Sequence, residues 1–362
     1  MWITSCGPAG STSGLSRRPP SSPEKGVTGA RACGKFWGLI LRPCMTNAID
    51  ILLSTYNGAA YLAEQLDSLF AQTCPDWRLV VRDDGSTDTT REILGRYLAL
   101  HPGRIVILPQ DGNRLGASAS FAILLEHSES PYTMFCDQDD VWLPDKVEIT
   151  FAAMRDLERA HGGQTPLLVD TDLKVVDERL SVLEESFWHF ERIHPQRLTK
   201  LSRVLMQNFV TGCTAMINRP LAGLAQPVPA EALMYDGWLA LVATAFGKIA
   251  ALPTPTVLYR QHGGNVTGAS RWSFLTGVKN YFLYREGRRV ALARREAAWA
   301  ALRGQAEAFA ARYGERMTPA QHAMVRAFCL LPARGFWGRR RLMLKHNFLV
   351  SDRWQSFMML LR

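Results

Sequence analysis

The sequence has no apolar run approaching the roughly 18–20 residues that a membrane-spanning helix needs, which excludes a conventional transmembrane segment. It has no Cys-x-x-Cys pair, and its seven cysteines (Cys6, Cys33, Cys44, Cys74, Cys136, Cys213, Cys329) are an odd, scattered set. That speaks against a disulfide framework or a thiolate zinc site, and for a reducing compartment. Gly-x-Gly-x-x-Gly, the Gly-x-x-x-x-Gly-Lys-Ser/Thr phosphate loop and His-Glu-x-x-His are all missing. Nicotinamide dinucleotides, P-loop phosphate chemistry and zincin proteolysis therefore have no fingerprint here. No internal repeat points to a solenoid. Charged residues make up 21% of the 362 residues and hydrophobic ones 47%, the balance of a folded protein.

Charge is unevenly distributed. Residues 271–362 hold 18 basic against 5 acidic side chains, and residues 1–44 hold 6 against 1. The stretch 45–270 is acidic, with 18 basic against 27, inside an overall net charge of +9. An acidic body with a basic tail reports on partners more than the whole-chain value does. Residues 1–44 are rich in Gly, Ser, Pro and Arg without an apolar period, so they are expected to be disordered or a non-native extension, with Met45 a possible true start.

From Ile49 onward, short apolar runs alternate with helical patterns. Strands are expected at Ile49–Leu53, Leu79–Val81, Ile105–Leu108 and Tyr132–Cys136. Helices are expected around Leu62–Phe70, Ser86–Arg96, Ser118–His127 and Pro144–Arg159. The alternation predicts an α/β fold with a mostly parallel central sheet covered on both faces. In such sheets ligands gather at the carboxyl ends of strands. Ser54-Thr55-Tyr56-Asn57-Gly58, Asp83-Asp84-Gly85-Ser86 and Asp137-Gln138-Asp139-Asp140 all fall there. Carboxylates so close repel one another unless a cation sits among them, and a hard cation with oxygen ligands is the natural solution.

Together with Asn208–Thr214, Tyr235–Leu241 and Tyr259–Val266, these motifs come in an order that resembles glycosyltransferase family 2, its rhamnosyltransferase-like branch in particular. The resemblance covers about residues 48–268. It implies a GT-A type nucleotide-sugar-binding fold over residues 45–268, with a nucleotide-binding half (about 45–165) and an acceptor half (about 166–268). A helical, basic C-terminal extension follows at 269–362.

The resemblance also implies a metal-dependent transferase that inverts the anomeric centre. It would move a deoxyhexose such as rhamnose onto a glycan or polyprenyl-lipid-linked acceptor in cell-surface polysaccharide assembly. Ser54, Thr55 and Tyr56 would line the nucleotide pocket, Asp84 would contact the pyrimidine, and Asp137 would serve nucleotide-sugar and metal alike. Asp139 and His262 would join Asp137 around Mg²⁺ or Mn²⁺. Asp236 would be the general base; Tyr235 precedes it where a second acid is commoner. Gly237 stands where many relatives carry an aromatic, which would widen the acceptor site.

Asp83 is read as a capping or sheet-edge partner, Asp140 as capping the turn into Val141–Pro144, and Trp142, Trp188 and Trp238 as core, with stacking on the acceptor sugar the alternative for Trp238. Asn265-Val266-Thr267 is a formal sequon without meaning in a reducing compartment. In the tail, Arg271–Arg285, Gly335–Arg341 and Phe348–Arg362 interleave aromatics and leucines with arginines. They suit an anionic membrane surface, placing the protein on the cytoplasmic face of a membrane, not secreted and without nucleic acid as partner. Helical packing on the catalytic domain is the plain alternative. Two rival functions are a non-catalytic nucleotide-sugar binder, which would be expected to lose one of Asp84, Asp139 and Asp236, and a sugar nucleotidyltransferase, which would want a glycine-rich basic loop after the first strand.

Overall fold

The computed structural model describes residues 48–109, 112, 114–263 and 285–361. The N-terminal extension, the Arg271–Tyr284 stretch and the sequon lie outside the described residues.

Strands β1 (Ile49–Thr55), β2 (Trp77–Asp83), β3 (Ile105–Ile107) and β4 (Tyr132–Cys136) form the parallel half of the sheet, in the order β3-β2-β1-β4. Helices α1 (Leu62–Phe70), α2 (Thr90–Leu100) and α3 (Ala117–Glu126) make the crossovers. β1, β2 and β4 are buried on both faces, which is why they read as largely apolar runs, whereas the edge strand β3 exposes Val106. The one charge inside β1, Asp50, is fully buried at the sheet's amino end. Arg78 Nε lies 2.6 Å from it, and the Ser130 hydroxyl donates to it over 2.7 Å. Burial pushes its carboxyl up, but Arg78 and the Ser128–Ser130 donors outweigh that and hold it below the ordinary value.

Helix α2 begins at Thr90 rather than at Ser86. Ser86 and Asp88 are taken by loop contacts instead: Ser86 N donates to Asp83 Oδ2 (3.0 Å), and Asp88 Oδ1 accepts from Thr90 N (3.0 Å). Asp83 therefore closes the turn, as its position suggested.

Beyond β4 come β5 (Val141–Trp142), α4 (Lys146–His161), β6 (Leu167–Val176), β7 (Val182–Glu184) and α5 (Phe187–Phe190). They are followed by α6 (Leu201–Val204), β8 (Met216–Asn218), α7 (Arg219–Ala225), α8 (Tyr235–Phe246) and β9 (Lys248–Arg260). The sheet continues β4-β8-β6-β9-β5, with β7 on β6; β8 runs antiparallel to β4 and β6, whereas β9 is parallel to β6. This is the GT-A architecture: a parallel nucleotide half joined to a mixed half that returns at the same edge. Long β9 carries its last residues back to the loop after β4.

The C-terminal helices α9 (Arg285–Tyr313), α10 (Pro319–Cys329), α11 (Phe336–His346) and α12 (Arg353–Leu361) are not loosely attached. Phe309, Tyr313, Phe328 and Phe348 are buried in the same core as α8. Trp238 is fully buried: its ring lies 5.8 Å from that of Phe309, and Nε1 donates to the Ala225 carbonyl over 2.9 Å. Trp142 and Trp188 are also core. Arg203 ties the α11–α12 connection down, donating to Val350 O (2.8 Å) and Asn347 Oδ1 (3.0 Å). Phe348, read from sequence as part of a surface patch, is a core residue. No helix among the described residues is long and apolar enough to cross a membrane.

Candidate active site

The loop after β1 and the acidic loop after β4 are stitched together by Gln138. Its Oε1 accepts from Tyr56 N at 2.8 Å and its Nε2 donates to Tyr56 O at 3.0 Å. A Cβ on Gly58 would lie 2.2 Å from that Oε1, so only glycine allows the approach. Thr55 Oγ1 donates to Asp83 (3.0 Å), Ser54 is half-buried at the strand end, and the Arg114 guanidinium lies 3.9 Å over the Tyr56 ring. Ser54, Thr55 and Tyr56 thus stand at the strand ends where a nucleotide would lie.

Asp84 is buried and already engaged. Arg82 Nη1 donates to it over 2.5 Å, and the Leu115 and Gly116 amides do so at 2.8 and 2.7 Å. Burial raises its carboxyl, yet these donors prevail and keep it low. A carboxylate offers about four lone-pair sites, so among the described residues roughly one is left over.

The acidic loop divides in two. Asp139 turns to His262, with Oδ2 2.9 Å from Nε2. Asp137 turns inward: one ligand atom each from Asp137, Asp140 and Cys213 lies within 4.8 Å of the others. Asp140 does not cap the following turn. It is buried, accepts the Arg260 amide at 3.2 Å on Oδ1, and among the described residues gives Oδ2 no partner. Asp137 is pushed up to about 7 by burial and by the charges of Asp139 and Asp236; Asp140 goes well up by burial and by Asp137 and Asp139.

Crowded carboxylates with an orphaned oxygen fit a divalent cation. Cys213 is a poor ligand, because burial pushes its thiol up and keeps it protonated. The remaining donors, carboxylate oxygens and the His262 imidazole, suit Mg²⁺ or Mn²⁺ rather than a soft metal.

Arg260, not singled out from sequence, holds this loop in place. It is buried at the end of β9, donates Nε to Asp139 O (2.9 Å), and pairs Nη2 with Glu64 Oε2 (2.5 Å). Its place beside His262 in the Tyr259-Arg260-Gln261-His262 motif was the available signal.

Asp236 sits in the first turn of α8. The amides of Gly237 (2.5 Å) and Gly212 (3.1 Å) and Asn208 Nδ2 (3.2 Å) donate to it. Burial pushes it up to about 6 in spite of them. A cleft of about 380 Å³ opens on it, lined from α5, the 204–211 segment, α8 and β9, and also by Leu302 and Gln305 of α9. That contribution from the basic tail was not legible, since neither residue belongs to a motif.

Comparison with known proteins finds glycosyltransferases. The model of the family described as Glycosyl transferase family 2 matches residues 50–222. TuaG of Bacillus subtilis, a glycosyltransferase assigned to teichuronic acid biosynthesis, is 28% identical over 251 residues, covering 67% of this chain and 90% of its own. The dTDP-rhamnosyl transferase RfbG of Shigella flexneri is 35% identical over 99 residues, 26% of this chain and 34% of its own. The structure of S. aureus TarS 1-349 in complex with UDP-GlcNAc matches at a TM-score of 0.48 and 17% identity, over 83% of each chain. With the strand-end motifs and the sheet order in agreement, residues 50–222 form a glycosyltransferase family 2 domain.

Proposed function

We propose that this glycosyltransferase moves a sugar from a nucleotide-diphospho-sugar to an acceptor hydroxyl in a single inverting displacement, with Asp236 as general base. The observation that carries the reading is the pairing of two acidic centres. The charge of Asp236 is felt at Asp137, yet Asp236 faces the cleft from a helix start while Asp137 stands in the strand-end loop. One centre suits a donor diphosphate and the other an attacking hydroxyl.

Ser54, Thr55 and Tyr56 would cradle the nucleotide, and the remaining lone pair of Asp84 would meet the pyrimidine. Asp137, Asp139 and His262 would hold Mg²⁺ or Mn²⁺, which when bound supplies Lewis acidity toward the leaving diphosphate. Asp236 takes the proton from the acceptor hydroxyl as that oxygen attacks the face opposite the leaving group. The amides of Gly212 and Gly237 and the Asn208 side chain fix its carboxylate for that task. With one displacement and one base, no nucleophilic Ser or Cys is needed.

The finer reading is transfer of a deoxyhexose such as rhamnose, supported by the motif pattern and by RfbG, in cell-surface polysaccharide assembly, supported by TuaG. The catalytic unit would be residues 45–268, with the acceptor a glycan or a polyprenyl-linked one. α11 and α12 would rest on the cytoplasmic face of an anionic membrane. Phe336, Trp337, Leu344, Trp354 and Phe357 are exposed there beside Arg339–Arg341.

A thermal-shift screen of nucleotide diphosphates and their sugar conjugates, with and without Mg²⁺ or Mn²⁺, tests the reading. A ligand that binds only the folded state adds about 2.7 kcal/mol at a hundredfold excess over its dissociation constant. A metal-dependent shift with at least one conjugate is expected; no shift with any of them would defeat it.

A further inference from the structure

Resting on the reading of Asp236 as the base, we infer that the cleft beside it takes an apolar, uncharged part of the acceptor, an alkyl or isoprenyl chain, and that α9 supplies one of its walls. The matched family segment ends at residue 222. Much of the cleft lies beyond it, including Leu233, Met234, Tyr259 and Leu302.

Much of its lining is apolar. Phe187, Ile193, Phe209, Leu233, Met234 and Leu302 line it, and the charged lining groups among the described residues are two acids, Asp236 and Glu191. A neutral chain laid on those side chains removes apolar surface from water without bringing in a further charge. Asn208 Nδ2 serves Val210 O (2.9 Å) and Asp236, and its Oδ1 accepts Val210 N (3.0 Å). Gln305, buried in α9, accepts the Leu233 amide at 3.0 Å and so fastens the lip of the cleft to the C-terminal helix.

Gly237 enlarges the space. Among the described residues a Cβ there would meet nothing closer than Asn208 Nδ2 at 3.6 Å, so the position has room for a methyl group that this sequence does not place. A volume of about 380 Å³ is within the usual range for small-ligand pockets. The cleft rim is also continuous with the C-terminal helices: Val204 lines it, while the adjacent Arg203 binds Asn347 and Val350 between α11 and α12. A chain leaving the cleft would emerge near helices that expose Trp337 and Trp354.

The test is calorimetric binding of methyl, butyl, hexyl and octyl β-D-glucosides, below their micelle-forming concentrations, to the full chain with UDP and Mn²⁺. Affinity is expected to rise about fourfold per buried methylene until the cleft is full. Leu302→Trp should bring the plateau to shorter chains and Leu302→Ala should weaken the rise, with nucleotide binding and melting temperature as controls for folding. Equal affinity across the series, or an unchanged dependence in both folded variants, would overturn the inference. Tighter binding of maltose than of octyl glucoside would also overturn it, in favour of a sugar occupant. Loss of nucleotide binding with the chain-length dependence kept would count against the transferase reading and leave the apolar site standing.

Discussion

His262 Nε2 lies 2.9 Å from Asp139 Oδ2, although 123 residues separate them in the chain. One comes from the end of β9 and the other from the loop after β4, and buried Arg260 sets their approach by holding the Asp139 carbonyl.

Asp139→Ala is expected to abolish the Mn²⁺-dependent part of nucleotide binding while leaving the apo melting temperature nearly unchanged, because the Asp139 side chain is partly exposed and paired with His262. His262→Ala should weaken the same term without removing it. Thermal shift with and without Mn²⁺ reads both; an unaltered metal-dependent shift in Asp139→Ala would place the cation elsewhere.

The pH profile follows from Asp236. A base must be ionised to accept a proton, and burial pushes this carboxyl up to about 6. Transfer should therefore rise about tenfold per pH unit below that value and level off above it. Asp236→Asn keeps the shape, loses the rising limb, and should cost about 10²–10⁴-fold in turnover. A wild-type rate independent of pH between about 5 and 7 would speak against Asp236 as the base.

Stability should respond to Asp50, far from the chemistry. It is fully buried with Arg78 at 2.6 Å, so Asp50→Ala leaves several buried donors unpaired and Arg78 with only the exposed Glu129 at 3.7 Å, and should cost about 3 kcal/mol or more. Its folded carboxyl is held low, so its stabilisation is complete above the unfolded value near 3.9 and is lost as pH falls through the folded one. Denaturant melts of wild type and Asp50→Ala at pH 7 and pH 3 should differ widely at the first and less at the second.

Most of the parallel half was legible because each strand is a short apolar run ending in a polar cluster, as at Leu52–Ser54 and Phe135–Asp137. The start of α2 was not, since Ser86 reads as a helix cap but is spent on Asp83. The roles of Gln138 and Arg260 depend on contacts 82 and 121 residues distant, which no local pattern encodes. The tail misled in a different way: its aromatics look alike in sequence, yet Phe348 is buried and Trp337 is 77% exposed. Helical periodicity in an Ala- and Arg-rich segment does not say which stripe meets α8.

That division sharpens the membrane expectation. The full chain should sediment with anionic vesicles and be released by salt, as the Debye length contracts toward about 3 Å at 1 M. Trp337→Ser combined with Arg341→Ser should weaken vesicle binding while keeping the melting temperature, since both side chains are exposed. Equal binding to neutral vesicles would show that charge is not what holds it.

The anomeric configuration of the sugar first released from the donor decides most about the chemistry. The nucleotide-sugar with the largest Mn²⁺-dependent thermal shift is incubated with enzyme, and ¹H NMR follows hydrolysis before mutarotation blurs it. Water standing in for the acceptor should yield the anomer opposite to that of the donor, only with the divalent cation, and hardly at all in Asp236→Asn. Release of the same anomer as the donor, or undiminished release by Asp236→Asn, would contradict a single displacement assisted by that carboxylate.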